Sequence, residues 1–119
     1  MGYQGVETAG WGNVDAATGA TAIREAGLKV SGMHVGIAAL RTEFNRVVDE
    51  ALLCDTRHII CPFWPKTHYR SAAACRQIGR ELNDIGARLR HMGFQFHFHN
   101  HDGEIALIDG RRGFDWMLD

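Results

Sequence analysis

Phe94-Gln95-Phe96-His97-Phe98-His99-Asn100-His101-Asp102-Gly103-Glu104 is the stretch on which the fold turns. Strict alternation of apolar and polar residues predicts a half-buried β-strand. Side chains alternate faces along a strand. Phe94, Phe96 and Phe98 therefore share the side that packs on something apolar. Gln95, His97, His99 and His101 share the other, with Asp102 and Glu104 close by. An imidazole column beside two carboxylates is a ligand set, or an acid–base set, and makes this strand the first place to look for chemistry.

Outward from that strand, helices and strands alternate. Tyr3 to Glu7 is a short strand candidate, followed by Gly10-Trp11-Gly12-Asn13. Asp15 can cap a helix through Ala16, Ala20, Ile23 and Ala26, closed by Gly27. Leu28 to Val35 predicts a second strand. Ile37, Leu40, Phe44, Val47, Val48 and Ala51 recur at helical spacing and predict one continuous helix. Arg57 to Cys61 is a third strand, stopped by Pro62. After a loop from Phe63 to Arg70, Ser71 caps a long helix with Ala74, Ile78, Leu82, Ile85 and Leu89 on one face. Gly93 ends it, and the histidine strand follows. Asp109-Gly110-Arg111-Arg112 is a turn, and Phe114 to Leu118 begins another helix.

This order predicts an α/β fold of βα repeats, with parallel strands and right-handed crossovers. The carboxyl ends of parallel strands lie on one rim. Here they carry Glu7, His34, Cys61, His99, His101 and Glu104, and α/β folds build their sites on that rim.

Composition bounds the rest. The 119 residues suffice for one modest domain, taken as residues 1–119. The formal net charge of −1, with seven histidines neutral, gives no basic footprint for nucleic acid. No apolar run approaches the ~20 residues of a membrane span, and the first residues have no signal-peptide pattern. Cys54, Cys61 and Cys75 are an odd, widely spaced set without a CxxC, which suits reduced thiols and a cytoplasmic location.

Four strings together resemble the sugar phosphate isomerase/epimerase family of xylose-isomerase-like TIM barrels. They are Gly2-Tyr3-Gln4-Gly5-Val6-Glu7, Gly27 to Gly36, Ile60-Cys61-Pro62 and His99-Asn100-His101-Asp102-Gly103-Glu104. The resemblance covers nearly the whole chain and implies strands two to five of an eight-stranded barrel, about half of it. It implies that strand one precedes Met1 and strands six to eight follow Asp119. It further implies a small carbohydrate or polyol substrate and a divalent metal (Mn, Mg, Co or Zn). Acid–base groups would move a proton next to a carbonyl. His34, Glu7 and His99 are then the expected catalytic residues. Trp11, Trp64 and His101 are expected to touch substrate, and Glu104, His99 and His101 to hold metal. In relatives whose strand ends in Glu-Asn the Glu is a ligand; His99-Asn100 stands there in this chain. His97 is expected to fill the barrel interior, and Cys61 to be a buried small hydrophobe. A half-barrel leaves two sheet edges open, so the isolated chain is expected to be inactive and a homo-oligomer is expected. Two other readings stand beside the enzyme: a non-catalytic half-barrel that self-associates, and an apurinic-endonuclease-like barrel, which the charge balance disfavours.

Overall fold

The structure is a computed structural model describing residues 2–119. Four strands alternate with helices. They are β1 (Gly5–Thr8), β2 (Lys29–His34), β3 (His58–Cys61) and β4 (Gln95–Phe98). They form one sheet in the order β1-β2-β3-β4, and each neighbouring pair is parallel. The sheet does not close into a barrel; it is the open, partial form of that architecture.

Local chemistry places the helices. Asp15 caps α1 (Ala16–Glu25) by accepting from the Thr18 N–H at 2.8 Å. Ser71 caps α4 (Ala72–His91) by accepting from the Ala74 N–H at 3.2 Å. Gly93, at φ 81°, turns the chain from α4 into β4, a conformation that disfavours any side chain. The helix expected to run unbroken from Ile37 is instead two, α2 (Ile37–Thr42) and α3 (Phe44–Leu53). The break falls at Glu43, at φ −129° and ψ 30°. Just before it, the Thr42 hydroxyl donates back to Ala38 O at 3.0 Å, a bond that bends helices. The apolar stripe survives the kink: Ile37, Leu40, Phe44, Val47, Val48 and Ala51 are all buried.

Alternation along β3 and β4 sorts the two faces, while β2 slips by one residue at Ser31, where Val6 pairs with Val30 and Glu7 with Gly32. Val30, Met33, Ile59 and Cys61 join the helix-side core with Leu40, Val47, Ile85 and Leu89. Phe96 and Phe98 pack against the same core, half-buried, as the alternation of β4 requires. The opposite, concave face carries the row His34, Ile60 and His97, which the register pairs in turn. A bulge between Val6 and Glu7 sets Glu7 opposite Gly32. A Cβ on residue 32 would stand 2.8 Å from the Ile60 Cδ1, so glycine there makes room on the concave face.

Beyond β4 the structure departs from a simple strand. β4 stops at Phe98, and Asp102–Ile105 is a single helical turn, α5. The Asp109-Gly110 turn, with φ 49° and 83°, joins a two-residue hairpin, β5 (Leu107–Ile108) and β6 (Arg111–Arg112). The helix α6 (Gly113–Met117) then packs on α4. Among the described residues, no helix is long and apolar enough to cross a membrane.

Candidate functional site

The carboxyl ends of β1 and β2 bring Glu7 and His34 together. Glu7 Oε2 lies 2.8 Å from His34 Nε2, the distance of a charge-assisted hydrogen bond. The His34 side chain is 19% exposed and that of Glu7 is 54%, so the pair sits at a solvent-facing mouth rather than in the core. The parallel register explains the meeting. Glu7 faces Gly32, and His34 is the next residue after Gly32 on that face.

From His34 a line of imidazoles crosses to the end of β4. The His34 and His99 rings have centroids 5.8 Å apart, edge on, and the His99 and His101 rings 4.9 Å apart. His99 is placed by its own N–H, which donates to Cys61 O at 3.0 Å and extends the β3–β4 ladder one residue past the strand. A cavity of about 350 Å³ on the concave face is lined by Glu7, Ser31, His34, His58, Ile60, His97 and His99. Ser31 donates its hydroxyl to Val6 O at 3.0 Å and is occupied with the backbone. The expected catalytic set of Glu7, His34 and His99 thus lines one opening, with His101 adjacent to His99.

Glu104 stands elsewhere. It is 1% exposed, turned inward beneath the loop that carries His101. Its Oε1 accepts from the Tyr69 hydroxyl at 2.5 Å and its Oε2 from the His101 N–H at 2.8 Å. Burial first, and the Glu104 carboxylate second, push the Tyr69 phenol above its ordinary pKa. Nearby, Lys66 Nζ donates to Asp102 at 2.7 Å. Two cross-links therefore tie the loop after β3 to the loop after β4, one buried and one exposed. Glu104 is a strut of the rim.

That geometry bears on the divalent metal. Its expected ligands were Glu104, His99 and His101. Both Glu104 oxygens are engaged behind the loop, while the two imidazoles face each other in front of it. Among the described residues no three His, Cys, Asp or Glu side chains are disposed around one cation point. These residues do not fit a three-ligand metal centre in this arrangement.

The two tryptophans take different places. Trp64 is 5% exposed and belongs to the core, with the Arg41 guanidinium 5.1 Å from its ring centroid. Trp11 lies against Gly19 of α1, and its indole N–H donates to Glu50 of α3 at 3.3 Å. The aromatic that does meet solvent on this rim is Phe63, 50% exposed. It lines a second cavity, of about 470 Å³, with Trp64, Pro65, Lys66, His101 and Glu104. Cys61 is fully buried, and burial pushes its thiol up to about 11, as befits a small hydrophobe rather than a nucleophile.

Tyr69, beneath the rim, and His58, on the concave face, were not singled out by sequence. Tyr69 lay in a loop with no periodicity to mark its partner. His58 begins β3 and shares a face with Ile60; only the register shows that this face meets His97.

The sequence matches no protein-family model and no curated protein. The fold is similar to a crystal structure of a sugar phosphate isomerase/epimerase from Parabacteroides distasonis ATCC 8503, with a TM-score of 0.79 at 16% sequence identity. The match covers 98% of this chain and 51% of that one, so the chain spans about half the length of the protein it resembles.

Proposed function

We propose that the Glu7–His34–His99 opening binds a small carbohydrate or polyol-derived carbonyl compound, free or phosphorylated. There it moves a proton on the carbon beside the carbonyl, as a sugar isomerase or epimerase does. The observation that carries this is the Glu7–His34 pair faced by a second imidazole across an open cavity.

The chemistry follows from proton inventory. With Glu7 accepting from Nε2–H, His34 keeps a lone pair on Nδ1 and is oriented by the carboxylate. Nδ1 takes the proton from the carbon next to the carbonyl. His99, or His101 beside it, gives a proton to the carbonyl oxygen, and an enediol results. Returning a proton to the neighbouring carbon, with loss of one from the other oxygen, gives the isomer. Returning it to the same carbon from the opposite side gives the epimer. The exposed Phe63 ring lines the second cavity, with His101, and not the Glu7–His34–His99 opening. The balanced charge gives no support to a nucleic-acid substrate, and the three unpaired, buried cysteines suit a reducing cytoplasm.

A TIM barrel uses eight strands and the main sheet of the described residues has four, so the test reads binding as well as turnover. The chain is incubated in D₂O with a panel of aldoses, ketoses and their phosphates. Proton NMR follows deuterium entry beside the carbonyl and the His34 and His99 ring signals. The expected result is ring shifts with at least one panel member, abolished in Glu7→Gln. Where exchange is seen, loss of the base lowers it by about 10²-fold or more. No ring shift and no exchange with any member contradicts the proposal.

A second reading concerns assembly. β1 and β4 are open sheet edges, and a cavity of about 380 Å³ beside β4 is lined by Phe96, Phe98, Phe114 and Met117. Apolar surface beside an unpaired edge favours a second copy as partner. Sedimentation over a dilution series checks it; a monomer at every concentration contradicts it.

A further inference from the structure

On the concave face, below the Glu7–His34 pair, two imidazoles from adjacent strands meet. His58 Nδ1 and His97 Nε2 are 3.0 Å apart, with ring centroids 5.2 Å apart and planes 27° from parallel. One N–H fills that gap and one lone pair receives it. Among the described residues neither ring makes another hydrogen bond, so no carboxylate or carbonyl fixes its tautomer. The shared proton is therefore the only thing that joins the two nitrogens, and a metal ion can take its place.

The spacing suits that exchange. Two nitrogens bound at about 2.0–2.1 Å to one ion stand about 3.3 Å apart when tetrahedral and about 2.9 Å apart when at right angles. The observed separation lies between these values, so both nitrogens meet one ion once each ring turns its lone pair about 35–45° off the line between them. The surroundings favour a cation. The cavity that His58 and His97 line also holds the Glu7 carboxylate and two further imidazoles, His34 and His99, and no Lys or Arg. His97 is exposed and His58 half-buried, so an ion and its waters reach them without the sheet opening.

The geometry points to a two-imidazole site, His58 and His97, for a divalent transition metal of the Cu(II), Ni(II) or Zn(II) class, with water completing the coordination. It is separate from the Glu104, His99 and His101 set, and it does not rest on the isomerase proposal. Neutral imidazole suits these ions, and Cu(II) should bind tightest of the three. An ion held there would also clamp β3 to β4.

The test uses the chain with NiCl₂ or ZnCl₂ alone. Calorimetry gives stoichiometry and affinity, and the histidine ring signals in NMR give location. The expected result is one ion per chain, with His58 and His97 signals moving together. Affinity should fall tenfold or more in His58→Asn and in His97→Asn, and stay within twofold in His91→Asn and His101→Asn. His97→Asn is the decisive variant, because an exposed strand position tolerates the change. Circular dichroism spectra matching the parent show that each variant is folded. Binding unchanged in His97→Asn, binding lost in His101→Asn instead, or no heat and no ring shift up to millimolar metal would each overturn the site.

Discussion

Replacing Tyr69 by Phe removes one oxygen atom and leaves a buried carboxylate short of a donor. The ring stays, so packing changes little and the hydrogen bond is isolated. Glu104 is 1% exposed and receives two hydrogen bonds, from the Tyr69 hydroxyl and from the His101 N–H. A hydrogen bond to a charged group contributes about 1.5–3 kcal/mol, and a buried acceptor left without its partner cannot recover that from water. With a urea m-value of about 1.5 kcal/mol per M, the unfolding midpoint should fall by about 1–2 M. Glu104→Gln supplies the control. With a neutral amide at 104, Tyr69→Phe removes only a neutral bond of about 0.5–1.5 kcal/mol, so a double-mutant cycle should show about 1 kcal/mol of coupling. High pH gives an independent arm. The phenol is pushed above its ordinary value in the folded chain, so the unfolded chain loses this proton first. The stability it contributes is present below pH about 10 and is lost as pH rises beyond that. The parent should therefore lose stability above pH 10 more steeply than Tyr69→Phe does. A midpoint within about 0.2 M of the parent, with no difference at high pH, would refute the buried strut.

Two further outcomes follow from packing. Cys61 is fully buried and its thiol is pushed from 9.0 up to about 11, so its protonated form contributes stability below pH 9 that is lost as pH rises from 9 to 11. The loss is on the order of 2–3 kcal/mol, and unfolding in Cys61→Ala should lack that step. At Gly79 a Cβ would stand 2.0 Å from Met117 O, where α4 meets α6. Gly79→Ala gains about 1 kcal/mol of helix propensity but forces α6 away, at about 1–3 kcal/mol, so the urea midpoint should fall; a rise would show that α6 does not dock there.

Much of the fold was legible because it depends on period alone. The stripe at Ile37 through Ala51 and the alternation at Phe94 through Phe98 each specify one buried face, and Asp15, Ser71 and Gly93 mark helix ends by local chemistry. The break at Glu43 was not legible, because the apolar spacing of a kinked helix matches that of a straight one. The site was legible in part. Rim position follows from parallel order, which placed Glu7, His34 and His99 at one opening. Glu104 was expected at the open rim because it closely follows the imidazole run in sequence, whereas the chain turns into α5 and buries the carboxylate against Tyr69. The meeting of His58 with His97 depends on register, which no single strand encodes.

The whole arrangement depends on β3 and β4 running in the same direction, with β2 and β4 ending at one mouth. Cross-strand proton–proton contacts in NMR test this directly. The pairs His58 with Gln95, Ile60 with His97 and Cys61 with Phe98 should appear with parallel spacing, and the His34 and His99 ring protons, on centroids 5.8 Å apart, should give a mutual contact. An antiparallel pattern between β3 and β4, or His34 and His99 rings that share no contact, would contradict both the sheet and the site it builds.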